Sequence, residues 1–164
     1  MSGVRAAGAI RPPFCYLGPV LFRLDALPDT RRRRAAGLLA AVLVLHDLEE
    51  AVAYPRMRPA VLEVVPFVPP ASVFWAALAV VTLAGVAAAA WAGRGAASVG
   101  KTAVLRTIAI ILLANVLIPH VPAAVVLGGY APGVITAVAL NLPAALLALR
   151  LLQATAHRAS PGGP

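Results

Sequence analysis

Read along the chain, the hydrophobic positions gather into four long runs, separated by short segments rich in proline, glycine and charge. The runs cover about residues 35–54, 71–91, 103–127 and 134–152, each near the ~20 residues a helix needs to cross a hydrocarbon core. The second run carries no charge, and Trp75 and Trp91 near its ends fit the aromatic belts of a bilayer as lipid anchors. The first is the least regular. Its purely apolar part stops at Leu45, so it reaches spanning length only by including His46-Asp47-Leu48-Glu49-Glu50, with Pro55 expected to close the helix. In the third run Arg106 sits one turn in, where its long side chain can snorkel outward. Pro119 and Pro122 bracket His120 there and predict a kink that frees backbone carbonyls. Pro143 lies inside the fourth run.

Between the runs, residues 55–70 form a proline-rich connection with Arg56, Arg58 and Glu63, in which 61–68 reads as a short interfacial or re-entrant piece. Residues 93–101 and 128–133 read as glycine-rich turns. Residues 1–30, interrupted by Pro12, Pro13, Pro19 and Pro28, read as an irregular or disordered lead with no spanning segment and no cleavable signal pattern. From Gln153 the chain is polar and reads as a disordered tail, with His157 solvated.

Composition agrees with this pattern. The chain is 61% hydrophobic and 12% charged, with mean hydropathy +0.88, whereas a soluble domain averages about 45–50% apolar and about 25% charged. The fold class expected is all-α: an integral membrane bundle of four transmembrane helices filling residues 31–152, without a second domain. The net charge of +8 comes with no interleaved aromatics and no nucleic-acid motif. Topology accounts for it instead. With four spans, twelve of the 14 basic residues, including the arginines at 31–34, fall on the side of the termini, and only Arg56 and Arg58 fall opposite. Basic residues mark the cytoplasmic side, so both termini are placed in the cytoplasm of a multi-pass protein. Abundant Ala, Arg, Gly and Pro suggest a GC-rich bacterial genome and hence the bacterial inner membrane. A lone cysteine, Cys15, excludes an internal disulfide framework. Gly93-Arg94-Gly95 and Gly100-Lys101-Thr102 lack the spacing of a phosphate loop and its preceding strand.

The ionisable residues within the runs call for a physical reason, since such groups are costly at membrane depth and typically face a bundle interior or cavity. On a helix, Glu49 lies about 60° to one side of His46 and Glu50 about 40° to the other, so the three share a face while Asp47 points aside. His46 and His120 each fall roughly 12 Å below the outer end of their runs, and Asn141 about 13 Å, at ~1.5 Å per residue. Asn115 and Thr136 lie within reach of that level, and Tyr130 sits at its outer edge. The amides and the threonine read as interhelical glue. In the turn before the fourth run, Pro132 suits a helix start, and Gly133 permits close approach or an unusual backbone angle.

His46-Asp47-Leu48-Glu49-Glu50, the later His120 and Tyr130-Ala131-Pro132-Gly133 together resemble the HXXEE-motif family of small prokaryotic membrane proteins. That family is defined by an HXXEE motif, a further histidine and a YXPG motif, and its biochemical function is not established. The resemblance covers about residues 35–152 and implies His46, Glu49, Glu50, His120, Tyr130, Pro132 and Gly133 as the family positions. It supplies no reaction.

Imidazole with carboxylate is a ligand set for divalent Zn, Fe or Mn. His46 and Glu50, at i and i+4, can reach one ion from one helix, and His120 can add a third ligand. Two histidines, one carboxylate and an open position match many hydrolytic zinc sites, with Glu49 as candidate general base and Tyr130 as candidate to polarise a substrate oxygen. Three function classes therefore stand: a metal-dependent, hydrolase-like membrane enzyme acting on a lipid or small amphiphile; a small transporter or proton-coupled carrier; and a structural subunit whose polar cluster ties helices together. The partners expected are the lipid bilayer and an amphiphilic substrate, not nucleic acid. The oligomeric state stays open.

Overall fold

The computed structural model describes residues 29–65 and 67–153. Among them there is no strand, and four helices carry the fold. Helix α1 is Asp29–Val64, α2 is Ala71–Gly93, α3 is Val99–Val126 and α4 is Val134–Gln153. The last three are long and apolar enough to cross a membrane. In α1 the acids Asp47, Glu49 and Glu50 interrupt the apolar run that would put it on the same footing. The expected lead and tail lie outside the described residues, apart from the first residues of α1 and the last of α4.

The core is built from small and branched residues on facing stripes. Ala35, Leu39 and Leu43 of α1 meet Ala89 and Ala92 of α2, Leu105, Ala109 and Leu112 of α3, and Ala145 and Ala148 of α4. Small residues let helix backbones approach closely, as is usual where lipid removes the hydrophobic drive between helices. Gly93 shows how close: a Cβ added there would meet that of Ala36 at 2.9 Å. The outward faces are apolar as well, with Val80, Val81 and Leu83 of α2 exposed. Contiguous exposed apolar surface of this kind suits lipid rather than water.

The basic block has a structural use. Arg32, fully buried at the start of α1, donates from Nη1 to the carbonyls of Ala92 at 2.5 Å and Arg94 at 3.2 Å, and from Nη2 to that of Gly95. A guanidinium thus satisfies carbonyls that the end of α2 leaves without intrahelical partners, where a cation is also favoured by the helix dipole. Lys101 Nζ donates to the Arg94 carbonyl at 2.7 Å and lies 5.5 Å from the centre of the Trp91 ring.

Helix α1 does not stop at Pro55. It continues through Pro55 and Pro59 to Val64, so residues expected to form a connection are helical. Proline at position 55 removes the donor that would have bonded the carbonyl four residues back, that of Ala51. The indole N–H of Trp75 takes its place, donating to the Ala51 carbonyl at 2.9 Å. Trp75 is therefore more than a lipid anchor: it repairs the proline gap from the neighbouring helix. Tyr54 strengthens the same junction, donating to the Pro69 carbonyl at 2.6 Å and stacking on Phe74 with ring centres 3.8 Å apart. Arg58 holds the linker from the next turn, Nε to the Pro69 carbonyl at 3.0 Å.

The kink expected near His120 is present. A π-helical turn, Val116–His120, interrupts α3, and Ile118 leaves helical geometry at φ −143°, ψ 113°. A second π-helical turn, Ala137–Asn141, precedes Pro143 in α4.

Candidate functional site

The three predicted ligands meet. His46 and Glu50 lie one turn apart on α1, and the break at Ile118–Pro119 turns His120 of α3 towards them. The His46 and His120 rings stand edge to face with centres 4.7 Å apart. Glu50 Oε1 is 3.2 Å from His120 Nε2 and 3.6 Å from His46 Nε2. One ligand atom from each of the three residues lies within 4.8 Å of the others, so the group could hold a metal ion. Both imidazoles are buried.

Their outer nitrogens are already committed. His120 Nδ1 lies 2.8 Å from the Pro132 carbonyl, which only accepts, so this nitrogen carries the proton and Nε2 is left as a lone-pair acceptor. That buried Nε2 has no hydrogen-bond donor. His46 Nδ1 lies 2.9 Å from Thr136 Oγ1, and Thr136 in turn is 2.5 Å from Glu49 Oε2. A carboxylate can only accept, so the hydroxyl proton points to Glu49 and the Thr136 oxygen accepts from His46 Nδ1–H. The tautomer follows: His46 Nε2 is also an acceptor, and the Asn115 amide, at 2.8 Å, donates to it. His46 Nε2, His120 Nε2 and Glu50 Oε1 therefore lie together as acceptors, with the His46 lone pair on the Asn115 amide and that of His120 without a donor.

Glu49 and Glu50 are neighbours with different surroundings. Glu49 Oε1 accepts from the Tyr130 hydroxyl at 2.8 Å, and Oε2 accepts from the Thr136 N–H at 2.7 Å. The Ile135 N–H adds a longer contact at 3.4 Å. The first N–H groups of a helix have no intrahelical partner, and Gly133, at the cap position of α4, has no side chain to offer. Glu49 supplies the missing acceptor from α1 and sets a negative charge at the positive end of α4. Tyr130 is directed at Glu49. Burial and this hydrogen bond push its phenol up to about 12.

Gly133 closes the site from above. Its φ is +80°, and a Cβ there would stand 2.6 Å from His120 Cε1, 2.8 Å from Glu50 Cγ and 2.9 Å from His46 Cε1. Both properties expected of this glycine, close approach and an unusual backbone angle, are present, and the residues it approaches are the three that converge.

Asp47, which points aside from the shared face, is buried and accepts the hydroxyl of Thr82 on α2. One expectation needs correction. Asn141, expected to bond between helices, is fully buried with no partner for its amide among the described residues. Asn115 and Thr136, expected as interhelical glue, do bond between helices, and the residue they hold is His46. The signal available for both was their depth, level with the histidines.

No curated protein and no solved structure matches the chain. A family model described as a protein of unknown function with HXXEE motif matches residues 37–148. That is more than half of the chain and includes every residue of the convergent cluster, and the chain belongs to the HXXEE-motif family.

Proposed function

We propose that the protein is a four-span membrane protein, both termini cytoplasmic, in a bacterial inner membrane, and that it holds a divalent metal ion between His46, Glu50 and His120. One observation carries this reading: with both Nδ1 protons assigned elsewhere, His120 Nε2 and Glu50 Oε1 are two acceptors 3.2 Å apart, and His46 Nε2, which accepts from the Asn115 amide, is the third ligand atom within reach. Acceptors facing acceptors repel unless a cation or a proton lies between them, and an ion would take the His46 lone pair from Asn115. The two spacings to the carboxylate fit, because ligand atoms about 2.0–2.2 Å from a tetrahedral Zn stand roughly 3.3 Å from each other, close to the 3.2 and 3.6 Å observed, and all three ligand atoms lie within 4.8 Å of one another. Zn, Fe and Mn all accept this donor set.

The surrounding residues then form an outer layer around the ligands. The His46–Thr136–Glu49 chain fixes the ring and raises its basicity, and the Pro132 carbonyl does the same for His120. Glu49, with both oxygens engaged, acts as a positioning group through Thr136, and Tyr130 holds Glu49 in place. An ion held by these three residues would supply Lewis-acid activation of water or of a carbonyl. Hydrolysis of a lipid or small amphiphile is the reaction class this supports.

Metal analysis of detergent-purified protein supplied with Zn, Mn or Fe tests the proposal. About one ion per chain is expected in the wild type and none in His46→Ala, Glu50→Gln or His120→Ala, with helicity retained. A wild type without metal would leave a proton shared between Glu50 and His120 as the occupant, and the proposal would fail. Equal stoichiometry in the variants would fail it too.

A further inference from the structure

A groove of about 500 Å³ opens on the outer surface between the end of α1, the second half of α3 and the start of α2. Its walls are apolar, formed by Val61, Val64, Val65, Phe74, Ala123 and Val126, and its polar floor is Glu50 with His120. The rim is exposed, whereas the His120 imidazole at the floor is buried and its Nε2 lacks a donor. The groove is thus continuous with the cluster described above, and it ends on an unsatisfied acceptor.

We infer that this groove seats the hydrocarbon chain of a single-chain amphiphile whose oxygen-bearing head reaches Glu50 and His120; the head-group part rests on the metal reading above. Three observations select this occupant. The walls offer almost no polar side chain to a charged or peptide ligand, Tyr54 already donating to the Pro69 carbonyl, so hydrocarbon is what they mainly stabilise. The floor asks for a donor or a metal-bound oxygen, so the occupant is polar at one end. The volume suits one chain: at roughly 30 Å³ for a group the size of water, about 16 such groups fit in about 500 Å³. The open face of α2 at Val80 and Val81 is equally apolar and exposed, and serves as the internal comparison.

Photolabelling in phosphatidylcholine nanodiscs tests this, using a 12-carbon alcohol with a diazirine at the chain end and mapping labelled peptides by mass spectrometry. Label on residues 61–65 and 118–127 is expected at least tenfold above that on 80–81, and excess unlabelled dodecanol removes it while labelling at 80–81 persists. Ala123→Trp, which fills the groove away from the ligands, reduces the groove label to the α2 level and leaves metal content unchanged. Equal labelling of groove and α2, label that dodecanol does not displace, or enrichment that survives Ala123→Trp overturns the inference. Metal content is measured on the same preparation. Metal with no enrichment removes the groove assignment alone, while enrichment without metal supports the chain site and removes the metal reading.

Discussion

Gly133→Ala isolates the geometric claim most sharply, because the structure supplies its own control. At position 133 an added methyl would lie 2.6–2.9 Å from carbons of His120, Glu50 and His46. Carbon atoms prefer about 3.5–4.0 Å, so all three side chains must retreat by roughly 0.6–0.9 Å or the turn must open. Overpacking of this kind costs about 1–3 kcal/mol, and a left-handed backbone angle adds about 1–2 kcal/mol for a residue with a Cβ. Gly128 has a similar φ of +71° but nothing within 4 Å of its Cβ position. Gly128→Ala should therefore lose only the backbone part, about 1–2 kcal/mol, and Gly133→Ala about 2–5 kcal/mol. Functional constellations tolerate displacements of only about 0.5 Å, so metal affinity in Gly133→Ala should fall at least about tenfold while Gly128→Ala binds normally. Unfolding in mixed micelles, followed by tryptophan fluorescence, gives the stabilities, and a chelator competition titration gives the affinities. If Gly133→Ala matches Gly128→Ala in both, the turn does not sit on the site as described.

Three further outcomes are expected. Thr136→Val breaks the link between His46 and Glu49 and should weaken metal binding about 10–100-fold, as loss of such outer partners commonly does; Thr136→Ser should restore it, and a Val variant with wild-type affinity would show the hydroxyl to be incidental. Trp75→Phe leaves the Ala51 carbonyl without its donor and should cost about 1 kcal/mol. In a Pro55→Ala background, where the backbone N–H returns, that cost should shrink, and a double-mutant cycle with zero coupling would refute the repair. The Tyr130 phenol is raised above its ordinary 10 to about 12, so its contribution to stability is intact below pH 10 and is lost as pH rises towards 12. Absorbance titration near 295 nm should lose its latest-ionising tyrosine in Tyr130→Phe, and an unchanged late phase would contradict the contact with Glu49.

Much of this arrangement follows from spacing alone. Counting turns from the ends of the apolar runs puts His46 and His120 at one level, and the i, i+4 relation brings Glu50 beside His46. What spacing does not encode is which of two adjacent glutamates turns inward. That choice depends on the start of α4, whose unpartnered N–H groups draw Glu49 away, and it is decided by residues 81 to 87 positions further along. Pro55 misled for the same reason: local rules end a helix there, and the indole that lets it continue lies 24 residues from the Ala51 carbonyl it bonds. Asp47 likewise depends on Thr82 of another helix. Periodicity reveals which face is polar, but the hydrogen-bond partners on that face are supplied by tertiary contacts.

The uninterrupted course of α1 makes one helix both a wall and an arm. Val61, Val64 and Val65, which border the groove, ride on the same rod as Glu50, and the stretch joining them contains the two prolines. Each proline deletes one rung of the helical ladder; the Trp75 indole restores the one lost at Pro55, so Pro59 is where the rod bends most cheaply between the carboxylate and the wall. A bend there would move Val61, Val64 and Val65 without moving Glu50.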